Sequence, residues 1–245
     1  MFYNPDEGNI MLVDKPYGLT SFDVVGFLRK QLRISTGLKK IKIGHAGTLD
    51  PLATGLLIIC VGKMTKQAQL FQDMDKEYTG IITLGATTPS FDLETEIDKT
   101  YPYEHITPEQ IDNVAKSFIG TIKQTPPIFS AVKVDGVRAY KFARKKEDVD
   151  IKYRKVTISA FDIVDINLPD VHFRIGCSKG TYIRSIANDF GTKLVSGAYI
   201  KSLRRTKIGN YDVKDAKTIE ECAKLINPDW SGTIRLKSKF INKKQ

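Results

Sequence analysis

Gly44-His45-Ala46-Gly47-Thr48-Leu49-Asp50-Pro51-Leu52-Ala53-Thr54-Gly55 runs directly into the apolar stretch Leu56-Leu57-Ile58-Ile59-Cys60-Val61. The second part reads as a buried β-strand, so the first places one carboxylate, Asp50, at the lip of a core strand. Three glycines in twelve residues leave room for the backbone of another molecule to come close. Pro51 biases Asp50 toward an extended conformation. The combination points to a site, although an Asp beside Gly and Pro is most often a turn or cap residue. His45 in the same loop is a base, a metal ligand or a stacking surface. One His and one Asp, with no second His or carboxylate cluster beside them, make a weak metal signature.

Upstream, Ile10, Met11, Leu12 and Val13 read as a buried strand. It ends in Lys15-Pro16-Tyr17-Gly18-Leu19-Thr20-Ser21, where Pro and Gly turn the chain and Thr20 or Ser21 caps a helix bearing Val24, Phe27 and Leu28 on one face. Residues 29–42 then hold six cations and no acid. Downstream, Thr65 opens a short helix, and residues 78–84 read as a strand with Tyr78, Gly80, Ile82 and Leu84 on one side. Thr107-Pro108-Glu109-Gln110 is a capping box with Pro at the first helical position, and Gly120 closes that helix.

Residues 125–155 have a different character. An extended run from Thr125 to Ala131 is followed by eight cations against four acids between positions 135 and 155, as in an inserted basic arm. Val171 to Cys177 alternates as a half-buried strand should. Gly180-Thr181 opens a helix with Ile183, Ile186, Ala187, Phe190 and Leu194 on one face, and Thr218 and Glu221 form a second capping box. A basic end with Arg235, Lys237, Lys239, Lys243 and Lys244 follows. No internal repeat is evident, and strands interleaved with helices point to the α+β class.

The 245 residues carry 38 Lys+Arg against 28 Asp+Glu, a formal charge of +10. That balance favours a polyanionic partner, nucleic acid or an anionic membrane surface, over a neutral one. No apolar run approaches the roughly 18 residues of a membrane span, and the N-terminus lacks the pattern of a secretory signal. Cys60, Cys177 and Cys222 are odd in number and widely spaced, which argues against a disulfide framework or a zinc site and for a reducing cytoplasm.

Two further groups could carry chemistry. Arg184 stands in the first turn of its helix, where the macrodipole disfavours a cation and a nearby anion would remove the conflict. A carboxylate or a substrate phosphate would serve, and so would an escape to solvent. Asp92, Glu94 and Glu96 alternate as a two-metal hydrolase site would, but an exposed acidic strand or loop explains them more simply. Tyr78 is read first as a core aromatic.

Taken together, six segments in order resemble the TruB family of bacterial tRNA pseudouridine-55 synthases. They are Lys15 to Ser21, the Gly44 to Gly55 loop, Lys76-Glu77-Tyr78, Pro126 to Lys133 continuing to Gly136, Ala139-Tyr140 and Ala143-Arg144, then Ser178 to Arg184, and Leu203-Arg204-Arg205. The resemblance implies a pseudouridine synthase fold, a mixed and largely antiparallel β-sheet flanked by helices. It implies a catalytic domain over residues 1–210 with a basic thumb at about 125–155, and a short extension at 211–245 in place of a full additional RNA-binding domain.

It also implies that a uridine in the tRNA T-loop is flipped out and isomerised, with no metal or organic cofactor, by a cytoplasmic monomer that binds the T-arm. By position, Asp50 matches the essential aspartate and Arg184 its ion-pair partner. Tyr78 and Tyr182 match the aromatics lining the uracil pocket, Leu203 its apolar wall, and His45 the residue entering the T-loop. Lys15 falls among the substrate-binding residues. The cations at 29–42, 138–155 and 201–207 would hold phosphates. Ala46 stands where Thr is common in the family, Phe129 where Tyr is, and Thr95 where Gly is frequent. Two other classes compete: an RNA-folding module with secondary catalysis, and metal-dependent hydrolysis through Asp92, Glu94 and Glu96.

Overall fold

A computed structural model of the chain describes residues 7–145, 147 and 149–232. Residues 1–6, Lys146 and the basic end with Arg235, Lys237, Lys239, Lys243 and Lys244 lie outside the described residues. In chain order the elements are β1 (Asn9–Lys15), α1 (Ser21–Thr36), β2 (Ile43–His45), β3 (Ala53–Val61), α2 (Ala68–Asp73), β4 (Lys76–Leu84), β5 (Ala86–Thr87), β6 (Lys99–Thr100), α3 (Pro108–Lys116) and β7 (Gly120–Gln124). They continue with β8 (Lys133–Val134), β9 (Val137–Arg138), α4 (Ala139–Lys145), β10 (Arg154–Asn167), β11 (Asp170–Cys177), α5 (Ile183–Lys193), β12 (Ala198–Ile208), β13 (Tyr211–Asp212) and α6 (Ile219–Ile226).

These elements form two compact units, Met1–Tyr78 with Arg204–Gln245, and Thr79–Leu203. In the first, β3 pairs antiparallel with β1, from Asn9↔Val61 to Lys15↔Gly55, and with β2, from Ile43↔Val61 to His45↔Ile59. Because side chains alternate along a strand, Leu57, Ile59 and Val61 face a core built from Val24, Val25, Leu28 and Leu32 of α1 and Ile219, Cys222 and Ile226 of α6. Leu56, Ile58 and Cys60 face the other way, against Phe71 and Ile208. Burial on both faces is why the strand reads as an unbroken apolar run. Thr20 and Asp23 form the capping box of α1, and Gly37 ends it in the left-handed conformation.

In the second unit β10 is paired antiparallel with β11 on one side and β7 on the other. Phe118, Phe161, Phe173 and Phe190 meet edge to face or tilted beneath the helices. The α+β class and the largely antiparallel sheet with flanking helices are therefore as expected. Three local expectations need correction. Thr65 does not open a helix: its hydroxyl donates to the Gly62 carbonyl inside a 3-10 segment, Gly62–Gln67. The helix expected from Gly180 begins at Ile183, with Tyr182 at its N-cap. The basic arm is shorter than its composition suggested, because Arg154 and Lys155 belong to β10, paired with Gln124 and Lys123. What remains is a hairpin of β8 and β9 followed by α4. Asp135 and Gly136 both have positive φ at its tip, the signature of a two-residue Asp-Gly turn. Among the described residues no helix is long and apolar enough to cross a membrane.

Candidate active site

The Asp50 loop is fastened from several directions within the first unit. Ser21, at the start of α1, accepts from the Leu49 amide at 2.9 Å and donates to the Leu49 carbonyl at 3.1 Å. The Gly18 amide donates to the Pro51 carbonyl at 2.8 Å, and the Ala53 amide closes a turn onto the Asp50 carbonyl at 3.1 Å. The Asp50 side chain remains half-buried. A carboxylate carried on a loop whose neighbouring backbone groups are already bonded is held in place before any substrate arrives.

Two buried cations complete the loop. Lys15 is 0 % exposed, and its ammonium donates to the carbonyls of Leu19 at 2.7 Å, Pro16 at 2.9 Å and Pro51 at 3.3 Å. Burial lowers its pKa to about 8, the Asp50 charge opposes that shift, Arg205 adds to it and Asp23 opposes it. Lys15 was expected to bind substrate. With no exposed surface it cannot do so directly, and it acts on the site by tying the Asp50 loop to the turn after β1.

Arg205, 1 % exposed, donates to the carbonyls of Leu56 at 2.8 Å, Gly47 at 3.2 Å and Thr48 at 3.3 Å. It was expected among the phosphate-holding cations, and its burial rules that out. The signal for its true place was the period-two spacing of Leu203 and Arg205, which puts the arginine on the inward side of a strand. Gly55 shows the same correction in another form. With φ +103°, a Cβ there would lie 2.3 Å from the Arg205 carbonyl oxygen, so the close backbone it admits is this chain's own.

His45 sits on β2, its ring edge-on to Phe22 at 5.2 Å between centroids. Its pKa is lowered chiefly by burial and then by the Arg205 charge, with a backbone contact to Gly47 opposing, so the ring is neutral at pH 7. Its Nδ1 is buried without a hydrogen-bond partner among the described residues. Tyr78 is buried on β4.

In the second unit Arg184 is 3 % exposed. It donates to the carbonyls of Ser90 and Phe129, each at 3.0 Å, and its Nε lies 3.6 Å from the Asp92 carboxylate. Asp92 also accepts from the Glu94 amide at 2.9 Å. The acidic patch is thus not uniformly exposed: Asp92 is a buried partner of an arginine, and among the described residues no cluster of three metal-ligating side chains is formed. Tyr182 is half-buried, and its backbone is bonded on both sides by Gln124, whose Oε1 accepts from the Tyr182 amide at 2.8 Å while its Nε2 donates to the carbonyl at 3.0 Å. Leu203 is buried on β12. Lys15, His45, Asp50 and Tyr78 therefore belong to the first unit, and Tyr182, Arg184 and Leu203 to the second.

The cationic runs differ in how far their charge is already paired. Lys30, Arg33, Lys39, Lys40 and Lys42 are exposed. In the 201–207 run, Lys201 pairs with Asp170 at 2.6 Å, Arg204 with Asp14 at 2.7 Å and Lys207 with Glu77 at 3.7 Å, so much of that charge is already answered within the chain.

A family model described as TruB family pseudouridylate synthase, N-terminal domain, matches residues 33–183. The tRNA pseudouridine synthase B of Flavobacterium johnsoniae is 57 % identical over 211 residues, covering 86 % of this chain and 92 % of that protein. The protein of the same name from Phocaeicola vulgatus is 51 % identical over 227 residues, covering 93 % of this chain and 94 % of that one. Among solved structures, a chain of a Cbf5-Nop10-Gar1 complex is similar with a TM-score of 0.67 and 29 % identity, over 90 % of this chain and 54 % of that one. A chain of an H/ACA RNP bound to a substrate RNA containing 2'-deoxyuridine gives 0.64 and 27 %, over 89 % and 52 %. This chain spans about half the length of those two solved chains.

Proposed function

This chain belongs to the TruB family of pseudouridylate synthases, and we propose that it acts at uridine 55 in the T-loop of tRNA with Asp50 as the essential carboxylate. It isomerises uridine to pseudouridine in tRNA, the activity for which its relatives are named. The observation that carries the assignment of Asp50 is its loop, anchored by Ser21, Lys15 and Arg205 while the carboxylate stays half-buried.

The reaction breaks the bond from uracil N1 to ribose C1′ and forms one from C5 to C1′, with the C5 proton lost and one gained at N1. Nothing is oxidised or transferred to a second molecule, so no redox or group-carrying cofactor is called for. An ionised Asp supplies either the nucleophile or the base that this exchange needs. The family resemblance assigns Arg184 as the cation accompanying Asp50; within its own unit that guanidinium meets the Asp92 carboxylate at 3.6 Å. The target base must leave its stack. Tyr78 and Tyr182 receive the uracil, Leu203 is its apolar wall, and neutral His45 enters the T-loop beside it. Lys15 is a positioning residue for the Asp50 loop.

The exposed cations at 29–42 and those of the thumb hold phosphates of the T-arm, which positions the RNA without reading its sequence. The catalytic part spans residues 1–210 and shares its core with α6, and its thumb is the hairpin of β8 and β9 with α4. The protein works as a monomer in the cytoplasm. The test is to incubate the protein with an unmodified tRNA transcript and map pseudouridine along it. Pseudouridine at position 55 supports the reading, and its absence there, or its appearance elsewhere, overturns it.

A further inference from the structure

Arg154 begins β10 and is half-buried. Its guanidinium carbon lies 4.7 Å from the centroid of the Tyr182 ring, the distance of a cation stacked on an aromatic face. Gly180 also lies close to the guanidinium. That residue has φ +76°, and a Cβ there would come within 3.1 Å of Arg154 Nη1. Arg154 Nη2 is buried and has no hydrogen-bond partner among the described residues. The Tyr182 ring is thus a partner against which this charge is packed. Gln124 meanwhile grips the Tyr182 backbone through both its amide and its carbonyl, and Gln124 itself is fully buried.

Those contacts leave the Tyr182 ring with one face already occupied. We propose that Arg154 is a positioning residue for the reaction, a guanidinium that covers one face of Tyr182 and fixes the ring so that only its remaining face and edge meet the uracil. A planar, delocalised cation suits this task where an ammonium does not, because it can lie flat on a ring. The buried Nη2 argues against the alternative that Arg154 is one more phosphate ligand, since such a ligand must present its donors to the backbone of the RNA. The inference rests on the assignment of Tyr182 to the uracil pocket.

The experiment compares wild type with Arg154→Met and Arg154→Lys on a tRNA transcript, measuring kcat, KM, melting temperature and the dependence of RNA affinity on salt. The account expects Arg154→Met to lose about 10- to about 100-fold in kcat, the scale of a reacting group held out of line. The slope of log affinity against log salt should stay that of wild type, and Arg154→Lys should recover only a fraction of the rate. Gly180→Ala, whose methyl would lie 3.1 Å from Arg154 Nη1, should lower kcat in the same way. An unchanged kcat in Arg154→Met overturns the proposal. So does a salt slope reduced by about 0.7 to about 0.9, which is the mark of one lost phosphate contact. Should Arg154→Met melt far below wild type, Arg154→Lys carries the comparison. Wild type that forms no pseudouridine would instead defeat the functional assignment itself.

Discussion

The Lys15 ammonium is buried and donates to the carbonyl of Pro51, the residue following Asp50. Its pKa falls from 10.5 to about 8 because burial outweighs the attraction of Asp50. Below pH 8 the lysine carries its charge beside the carboxylate, and above it that charge is lost. Turnover should therefore decline as pH rises through about 8. Stability should move the other way: between about pH 8 and 10.5 the unfolded chain binds the proton that the folded one has released, so ΔG of unfolding gains with pH. A pH series of rates and of denaturant melts, wild type against Lys15→Met, isolates both trends, and each should vanish in the variant.

Arg205 joins the three carbonyls of Gly47, Thr48 and Leu56 to β12. Arg205→Met leaves those acceptors without their charged donor and should destabilise the fold by about 3 kcal/mol. Urea melts provide the measurement. RNA affinity at fixed salt, extrapolated to fully folded protein, should change little, since this arginine has no surface to offer a phosphate.

Gly55 and Gly44 make a matched pair within one loop. Gly55→Ala demands a left-handed conformation and places a methyl group 2.3 Å from the Arg205 carbonyl oxygen, so it should cost more than about 3 kcal/mol or prevent folding. Gly44→Ala meets nothing within 4 Å and has no positive φ, so its cost should stay below about 1 kcal/mol. Circular dichroism melts of the two variants give the comparison.

Lys39 and Lys40 are exposed at the end of the cationic run. Replacing both by Gln should weaken RNA binding at low salt and reduce the salt slope by up to about two, while the reaction at saturating RNA continues. Filter binding over a salt series reads this directly.

The parts of the fold visible in the sequence were those where local chemistry and tertiary burial agree. The run from Leu56 to Val61 announced a strand because both of its faces are covered. Thr107 with Gln110 and Thr218 with Glu221 cap helices α3 and α6 as their spacing required. Strand β10 was hidden because its first residues continue a cationic run and because a register shift after Ile158 breaks the period-two spacing between Val156, Ile158 and Phe161. The Asp50 loop was recognisable from its glycines and its lone acid, but its anchors were not. Lys15 and Arg205 are charged residues in buried positions, and only the carbonyls converging on them, Pro51 from a distant segment for Lys15 and Gly47, Thr48 and Leu56 for Arg205, make that burial tolerable.

The proposed role of Asp50 in the isomerisation has a direct test. The most direct measurement is pseudouridine formation at position 55 of a tRNA transcript by Asp50→Asn and Asp50→Ala, each first shown to melt and to bind the RNA as wild type does. The account predicts no detectable product from either variant over times in which wild type completes the reaction. Turnover by either variant within about tenfold of wild type would contradict it.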